Sequence, residues 1–226
     1  TAGLFSAIGI LAAVCHKKDT GEGQKVDVAM LDCQIAILEN AISRYFVTGV
    51  SPKPQGNRHP SIVPFETFDT ADGIIMVAVG NDSLWAKFCN EIGLPELIED
   101  ERFNTNPKRI DNYDELRPFI AEAMLKKTTA EWQDALDKCG VPESPINNIE
   151  MVLKNPQVLA RDMIAEVEHP VAGATKIPGV AIKMSGTPGE IELPAPTLGQ
   201  HTDEILSGFL GKTPEEIAHL KEVGAV

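Results

Sequence analysis

Apolar residues near the start of the chain recur at helical spacing. Leu4, Ile8, Leu11 and Ala12 share one face, which predicts a helix over residues 2–18. Its apolar run from Ala2 to Val14 is too short to span a bilayer and lacks the basic flank of a signal segment, so it reads as a buried core helix. His16, Lys17 and Lys18 suit its C-terminal dipole, and Gly21 and Gly23 in "TGEGQ" supply the turn that ends it. The period then switches to two in "KVDVAM", predicting a short strand over 25–30 with Asp27 on its less buried side. Leu31, Ile35, Leu38 and Ile42 return to helical spacing, and Asp32 stands at that boundary. One strand cannot make a sheet, so this unit lacks the strands it would pair with.

Residues 49–64, "GVSPKPQGNRHPSIVP", break every period with four prolines and two glycines, which predicts a linker or functional loop. A turn at Ala71–Gly73 precedes a buried strand over Ile74–Val79. Helices follow over 82–94 and 112–127; Pro118 is tolerated in the second only within a first turn. "TTAEWQDALDKCG" opens with a capping box, Thr128 as N-cap and Glu131 three residues on, and Gly140 ends the helix. Beyond it come a short helix around "NPQVLARD" and strands over 164–170 and 180–186. Two tail helices are capped by Thr202 and by Thr213 with Pro214 and Glu216. Trp85 and Trp132 are expected to fill core space.

Composition narrows the function classes. A net charge of −13 over 226 residues argues against a general nucleic-acid binder and against docking on anionic lipid. Hydrophobic content of 43% is enough for a sizeable core. Cys15, Cys33, Cys89 and Cys139 form no C-x-x-C pair, and reduced, mostly buried thiols in a cytoplasmic protein are expected. The His residues are isolated, with no metal-ligand spacing, no G-x-S-x-G elbow and no phosphate-binding Gly loop after a strand. His201, Asp203 and Glu204 sit at a predicted helix start, where acids favour the dipole, and read as capping residues.

The chemically richest stretch is "GNRHP". Gly56 permits a left-handed backbone, and Asn57, Arg58 and His59 place an amide, a guanidinium and an imidazole on successive residues. Arg58 has the fork geometry to clamp a carboxylate or phosphate, and His59 can titrate near neutrality. These residues mark a substrate-loop candidate without specifying a reaction.

Four stretches together resemble family III CoA-transferases, the group that includes formyl-CoA transferase, carnitine-CoA transferase and α-methylacyl-CoA racemase. They are "TAGLFSAIGILAAVCHKKDTGEGQKVDVAMLD", "GNRHPSIVPFETFDTADGIIMVAVGND", "CGVPESPINNIEMVLKNPQV" and "PAPTLGQHTDEIL", and they occur in the family's order. The resemblance implies an α/β fold, part of a Rossmann-like large domain plus a small α/β domain. Residues 1–48 would be an incomplete helix–strand–helix of the large domain. Residues 49–150 would be the linker and small domain, and 151–226 a segment returning toward the large domain.

The resemblance also implies nucleophilic catalysis by an aspartate. It attacks an acyl-CoA thioester to give an anhydride, then an aspartyl-CoA thioester, from which the acceptor acid leaves carrying CoA. That Asp is expected just upstream of Thr1, so no catalytic residue is assigned within the chain, and neither Asp27 nor Asp32 matches its position. Acyl-CoA and a small carboxylic acid are the expected substrates, with no metal, no nucleic acid and no membrane. An interlocked homodimer is expected of the full-length protein. In formyl-CoA transferases a glycine run at about the position of the loop closes over the reacting carboxylate. Here Gly56, Asn57, Arg58 and His59 stand instead, which argues against an oxalate-specific formyl transferase and points to an acceptor or acyl group steered by Arg58, such as a dicarboxylate or a carnitine-like acid. A racemase of the same family and a non-catalytic binding or assembly module remain the alternatives.

Overall fold

A computed structural model describes residues 1–226. The chain divides into two compact units, Thr1–Ser144 and Pro145–Val226. Helix and sheet are mixed, as expected, in small antiparallel pieces.

The first unit begins with α1 (Ala2–Thr20), closed by Gly21 in the left-handed conformation, whose N–H bonds the Lys17 carbonyl. The helix is where its spacing predicts it, but it is not a buried one. None of its residues is buried, and Leu4, Ile8 and Leu11 are 73%, 65% and 64% exposed. Its apolar residues run round the whole cylinder rather than along one stripe, so the neighbours it has here leave most of it uncovered. Val26 packs close against Gly9, where an added Cβ would lie 2.9 Å from Cγ1.

The strand expected over 25–30 does not form. Residues 22–29 belong to no helix or strand, and Ala29 has an extended backbone (φ −82°, ψ 136°). A strand needs a neighbour for its N–H and C=O groups, and none is present here. Asp27 is exposed, as expected, and pairs with Lys25 at 3.5 Å. The helix that follows is broken into α2 (Met30–Ala36) and α3 (Glu39–Thr48). At the break Leu38 N–H bonds the Ile35 carbonyl, a tightened turn between the two.

Residues 49–64 form no helix or strand, in keeping with their prolines. Strands β1 (Phe65–Asp69) and β2 (Ile74–Ala78) then pair as an antiparallel hairpin, Phe65 opposite Ala78 and Asp69 opposite Ile74. The turn falls at the expected 71–73, where Asp72 accepts from Thr129 N–H at 2.7 Å and Thr70 Oγ1 accepts from Gly73 N–H. Helices α4 (Asp82–Glu91), α5 (Asn106–Asp111), α6 (Tyr113–Met124) and α7 (Thr129–Cys139) follow, and β3 (Glu143–Pro145) lies beside β2.

Pro118 lies in the second turn of α6, not the first. It is exposed, as is Asp114, so the carbonyl that loses its partner can be hydrated. The capping box of α7 is complete. Thr128 Oγ1 accepts from Glu131 N–H, Glu131 accepts from Thr128 N–H at 2.8 Å, and Gly140 closes the other end.

The core of this unit lies among these last elements. Phe68, Ile75, Val77, Trp85, Phe88, Phe103, Leu116, Ile120, Trp132 and Leu136 are all buried. Burying each such side chain contributes roughly 1.5–3 kcal/mol. Both tryptophans fill the core as expected, and Trp132 Nε1–H donates to the Met124 carbonyl at 2.7 Å. Cys33 and Cys89 are buried, whereas Cys15 is exposed; all four thiols are free. Burial pushes the Cys89 thiol up to about 12.

The second unit carries α8 (Ile149–Lys154), α9 (Pro156–Ala160) and a hairpin of β4 (Ile164–His169) with β5 (Gly173–Pro178). The second strand is not at 180–186. His169 Nδ1 accepts from the N–H groups of Val171 and Ala172, and Gly173 turns at φ 70°. The chain therefore reverses at once, and β4 takes the next residues as its partner. Thr202 is the first residue of α10 (Thr202–Glu204) rather than its cap, and a π-helical turn runs from Ile205 to Phe209. The capping box of α11 (Pro214–Glu222) is present as predicted. No helix is long and apolar enough to cross a membrane.

Candidate functional site

The four loop candidates leave α3 through the proline-bordered segment and meet the start of β1. Gly56 has φ 63°, so the turn before Asn57 requires a residue without Cβ strain. From there the three polar side chains diverge. Asn57 spends its amide on Thr67 Oγ1 of β1 at 3.2 Å. His59 lies against Phe65, ring on ring, 5.1 Å between centroids and 8° apart. Its backbone N–H bonds the Phe65 carbonyl at 2.8 Å, and its Nδ1 accepts from Ser61 N–H at 3.2 Å. With Nδ1 accepting, the neutral ring carries its proton on Nε2, which can donate.

Arg58 alone of the four lines a cleft. Its guanidinium lies over the Tyr113 ring, 4.0 Å from the centroid, and its Nε donates to Gln55 Oε1 at 3.3 Å. Tyr113 is itself fixed by the buried Glu66, to which its hydroxyl donates at 2.8 Å and Arg117 Nε at 2.9 Å. Burial, then the Glu66 carboxylate, push the Tyr113 phenol above its usual range, which keeps it a donor.

The base of the loop is clamped from α5. Asn106 accepts from Val63 N–H at 3.0 Å and donates to the Ser61 carbonyl at 2.9 Å. Arg109, fully buried, donates to the carbonyls of Val63 at 2.7 Å and Phe103 at 3.0 Å, and to Asp82 at 2.8 Å. Desolvation lowers the Arg109 pKa, and Asp82 opposes the shift. The guanidinium is thus a buried fork that fixes the loop end and its neighbours.

The cleft that Arg58 borders is a cavity of about 570 Å³ between the end of α3 and the loop. Arg44, Thr48, Ser51, Lys53 and Gln55 are its other polar walls, and no Asp or Glu lines it. Arg44 and Lys53 were not among the sequence candidates. The signal for them was the absence of acid: no Asp or Glu occurs between Glu39 and Glu66, in a chain with 33 of them.

Elsewhere, no group of three or more His, Cys, Asp or Glu side chains is placed to hold a metal ion. His201 Nδ1 and Glu204 lie 3.1 Å apart on the surface of the second unit. What the cleft can do is hold an anion by charge and by a planar fork, with a protein surface otherwise strongly negative.

Comparison with known proteins gives this anion-binding geometry a context. CoA-transferase family III matches residues 1–202. The succinyl-CoA:glutarate CoA-transferase of Homo sapiens is 36% identical over 224 residues, which cover 99% of this chain and 51% of that protein. The succinate–glutarate CoA-transferase of Agrobacterium fabrum is 40% identical, over 91% of this chain and 51% of that one. Among solved structures, a CAIB/BAIF family protein from Brucella suis superposes with a TM-score of 0.79 at 33% identity, covering 92% of this chain and 53% of its own. The chain spans about half the length of the curated relatives it matches.

Proposed function

The chain belongs to CoA-transferase family III, and on that premise we propose that the intact protein transfers coenzyme A between small carboxylic acids. The match over residues 1–202, with relatives that are CoA-transferases at 36% and 40% identity, carries this reading. The nucleophilic aspartate would be supplied by sequence preceding Thr1, and this chain would be inactive by itself. The intact protein would act as a cytoplasmic homodimer.

The chemistry proceeds by two exchanges at one carboxylate. The aspartate attacks the acyl-CoA carbonyl, expelling CoA thiolate and forming a mixed anhydride. The thiolate then attacks the aspartyl carbonyl, releasing the donor acid and leaving an aspartyl-CoA thioester. The acceptor carboxylate repeats the sequence in reverse order and departs as its CoA thioester, which restores the aspartate. Each step conserves atoms and charge and needs no metal.

Within this chain, Arg58 orients the acceptor carboxylate. Its fork is held by the Tyr113 ring and by Gln55, so little ordering remains to be done on binding. His59 offers its Nε2–H as a second donor, and Gly56 and Asn57 shape the turn that presents both. Holding the acid close and aligned converts a bimolecular step into an effectively unimolecular one.

Exchange of labelled CoA between two acids, measured with the intact protein, tests the reaction class. Exchange without deuterium uptake at the carbon α to the thioester is the expected result. Deuterium uptake without exchange would assign the protein to the racemases of the family, and neither activity would leave a binding module.

A further inference from the structure

The cleft holds more positive charge than one carboxylate needs. Arg44 near the end of α3, Lys53 between Pro52 and Pro54, and Arg58 converge on the same cavity. None of the three is paired with a carboxylate, although eleven Lys or Arg ion pairs occur elsewhere in the chain. Arg44 and Arg58 are half-buried, which reduces the screening that water gives exposed charges. Gathering cations without counter-ions costs repulsion, all the more conspicuous in a chain of net charge −13. Bound anionic charge offsets that repulsion. One carboxylate on Arg58 leaves two cations uncompensated, and a second at the far end of a short acid lowers that excess to one.

We infer that Arg44 and Lys53 select dicarboxylic over monocarboxylic acids by holding the carboxylate distal to the one on Arg58. The inference rests on the reading of Arg58 given above. The hydroxyl of Ser51 adds a donor on the same wall, whereas that of Thr48 is spent on the Arg44 carbonyl. The cavity, about 570 Å³, lies within the range of small-ligand sites. The two prolines restrict the backbone on either side of Lys53, which lowers the entropy lost when its side chain is engaged.

Calorimetric titration of the intact protein with glutarate and with valerate, acids of equal length, separates the two readings. At low salt the unaltered protein is expected to bind glutarate at least about 10-fold more tightly, the scale of one added charge-assisted contact. The double variant Arg44→Gln/Lys53→Gln should bring that preference below about 2-fold while shifting valerate by less than about 3-fold. Arg58→Gln should weaken both acids together. No preference in the unaltered protein, no binding of either acid, or a preference that survives the double variant overturns the inference. So does displacement of glutarate by inorganic phosphate at equal concentration, which would make the cleft a general anion trap. If only the Arg58 variant is silent, the distal site stands and the role given to Arg58 falls.

Discussion

Residues 2–48 and residues 63–141 are similarly supplied with apolar side chains, yet the structure treats them oppositely. The later region buries Phe68, Trp85, Phe88, Trp132 and Leu136 almost completely. In the earlier one only Cys33 is buried, and Leu4, Leu11, Met30, Leu31 and Ile35 face outward. The difference is not one of helix quality, since α1 is the longest helix of the chain at 19 residues. It lies in pairing. The later region has a hairpin and four helices with complementary faces, whereas α1 is apolar all round and meets α2 and the segment around Val26, which leave all of its residues unburied. Periodicity specifies an element; only a partner specifies its burial.

The sharpest way to break that contrast is to truncate one large side chain on each side of it. Trp132→Ala removes a fully buried ring and its hydrogen bond to Met124, and should cost about 4 kcal/mol in denaturant unfolding. Leu11→Ala in α1 should change stability by no more than about 0.5 kcal/mol, because its side chain is already in water. Comparable losses would mean that α1 is covered by something the contrast ignores.

Arg109 tests how the site depends on the core. Arg109→Met leaves the carbonyls of Val63 and Phe103 without their donor and should cost about 3 kcal/mol. Because Arg109 holds the loop through Val63, the same variant should speed hydrogen exchange at Ser61 and Val63. Arg109 is also the charge that opposes the upward shift of the Cys89 thiol, so its loss should leave that thiol still less ionised and no more reactive.

The smallest effect is a pH dependence at the start of α7. Thr129 N–H holds the Asp72 carboxyl below the usual range, and Thr128 N–H does the same for Glu131. Both folded pKa values are lowered, so the stabilisation is complete above the ordinary carboxylate range near pH 4. It fades as pH falls through the lowered values. Amide exchange at Thr128 and Thr129, corrected for intrinsic rates, should show protection that is steady from pH 7 to about pH 5 and declines below about pH 4. Protection that rises on acidification would reverse the sign.

Local chemistry was legible in the sequence where it is self-contained. Both capping boxes, the turn at 71–73, the loop at 49–64 and the two core tryptophans are where the residues put them. What failed depended on distant partners. "KVDVAM" has strand alternation but no strand to join, and 180–186 lost its place to the residues nearer the His169 turn. β1 went unpredicted because "FETFD" reads as polar, although Glu66 is buried by Tyr113 and Arg117 from α6. In the candidate cleft, Arg58 was singled out from its own loop. Arg44 and Lys53 had only the acid-free stretch between Glu39 and Glu66 to mark them, because their convergence on one cavity is a property of the folded chain.

If the intact protein is a CoA-transferase whose acceptor is held by Arg58, loss of that side chain must weaken acceptor binding and little else. Steady-state kinetics of Arg58→Ala in the intact protein tests it most directly. An acceptor KM raised at least about 10-fold, with the acyl-CoA KM changed by less than about 2-fold, is the expected result. An unchanged acceptor KM would contradict it.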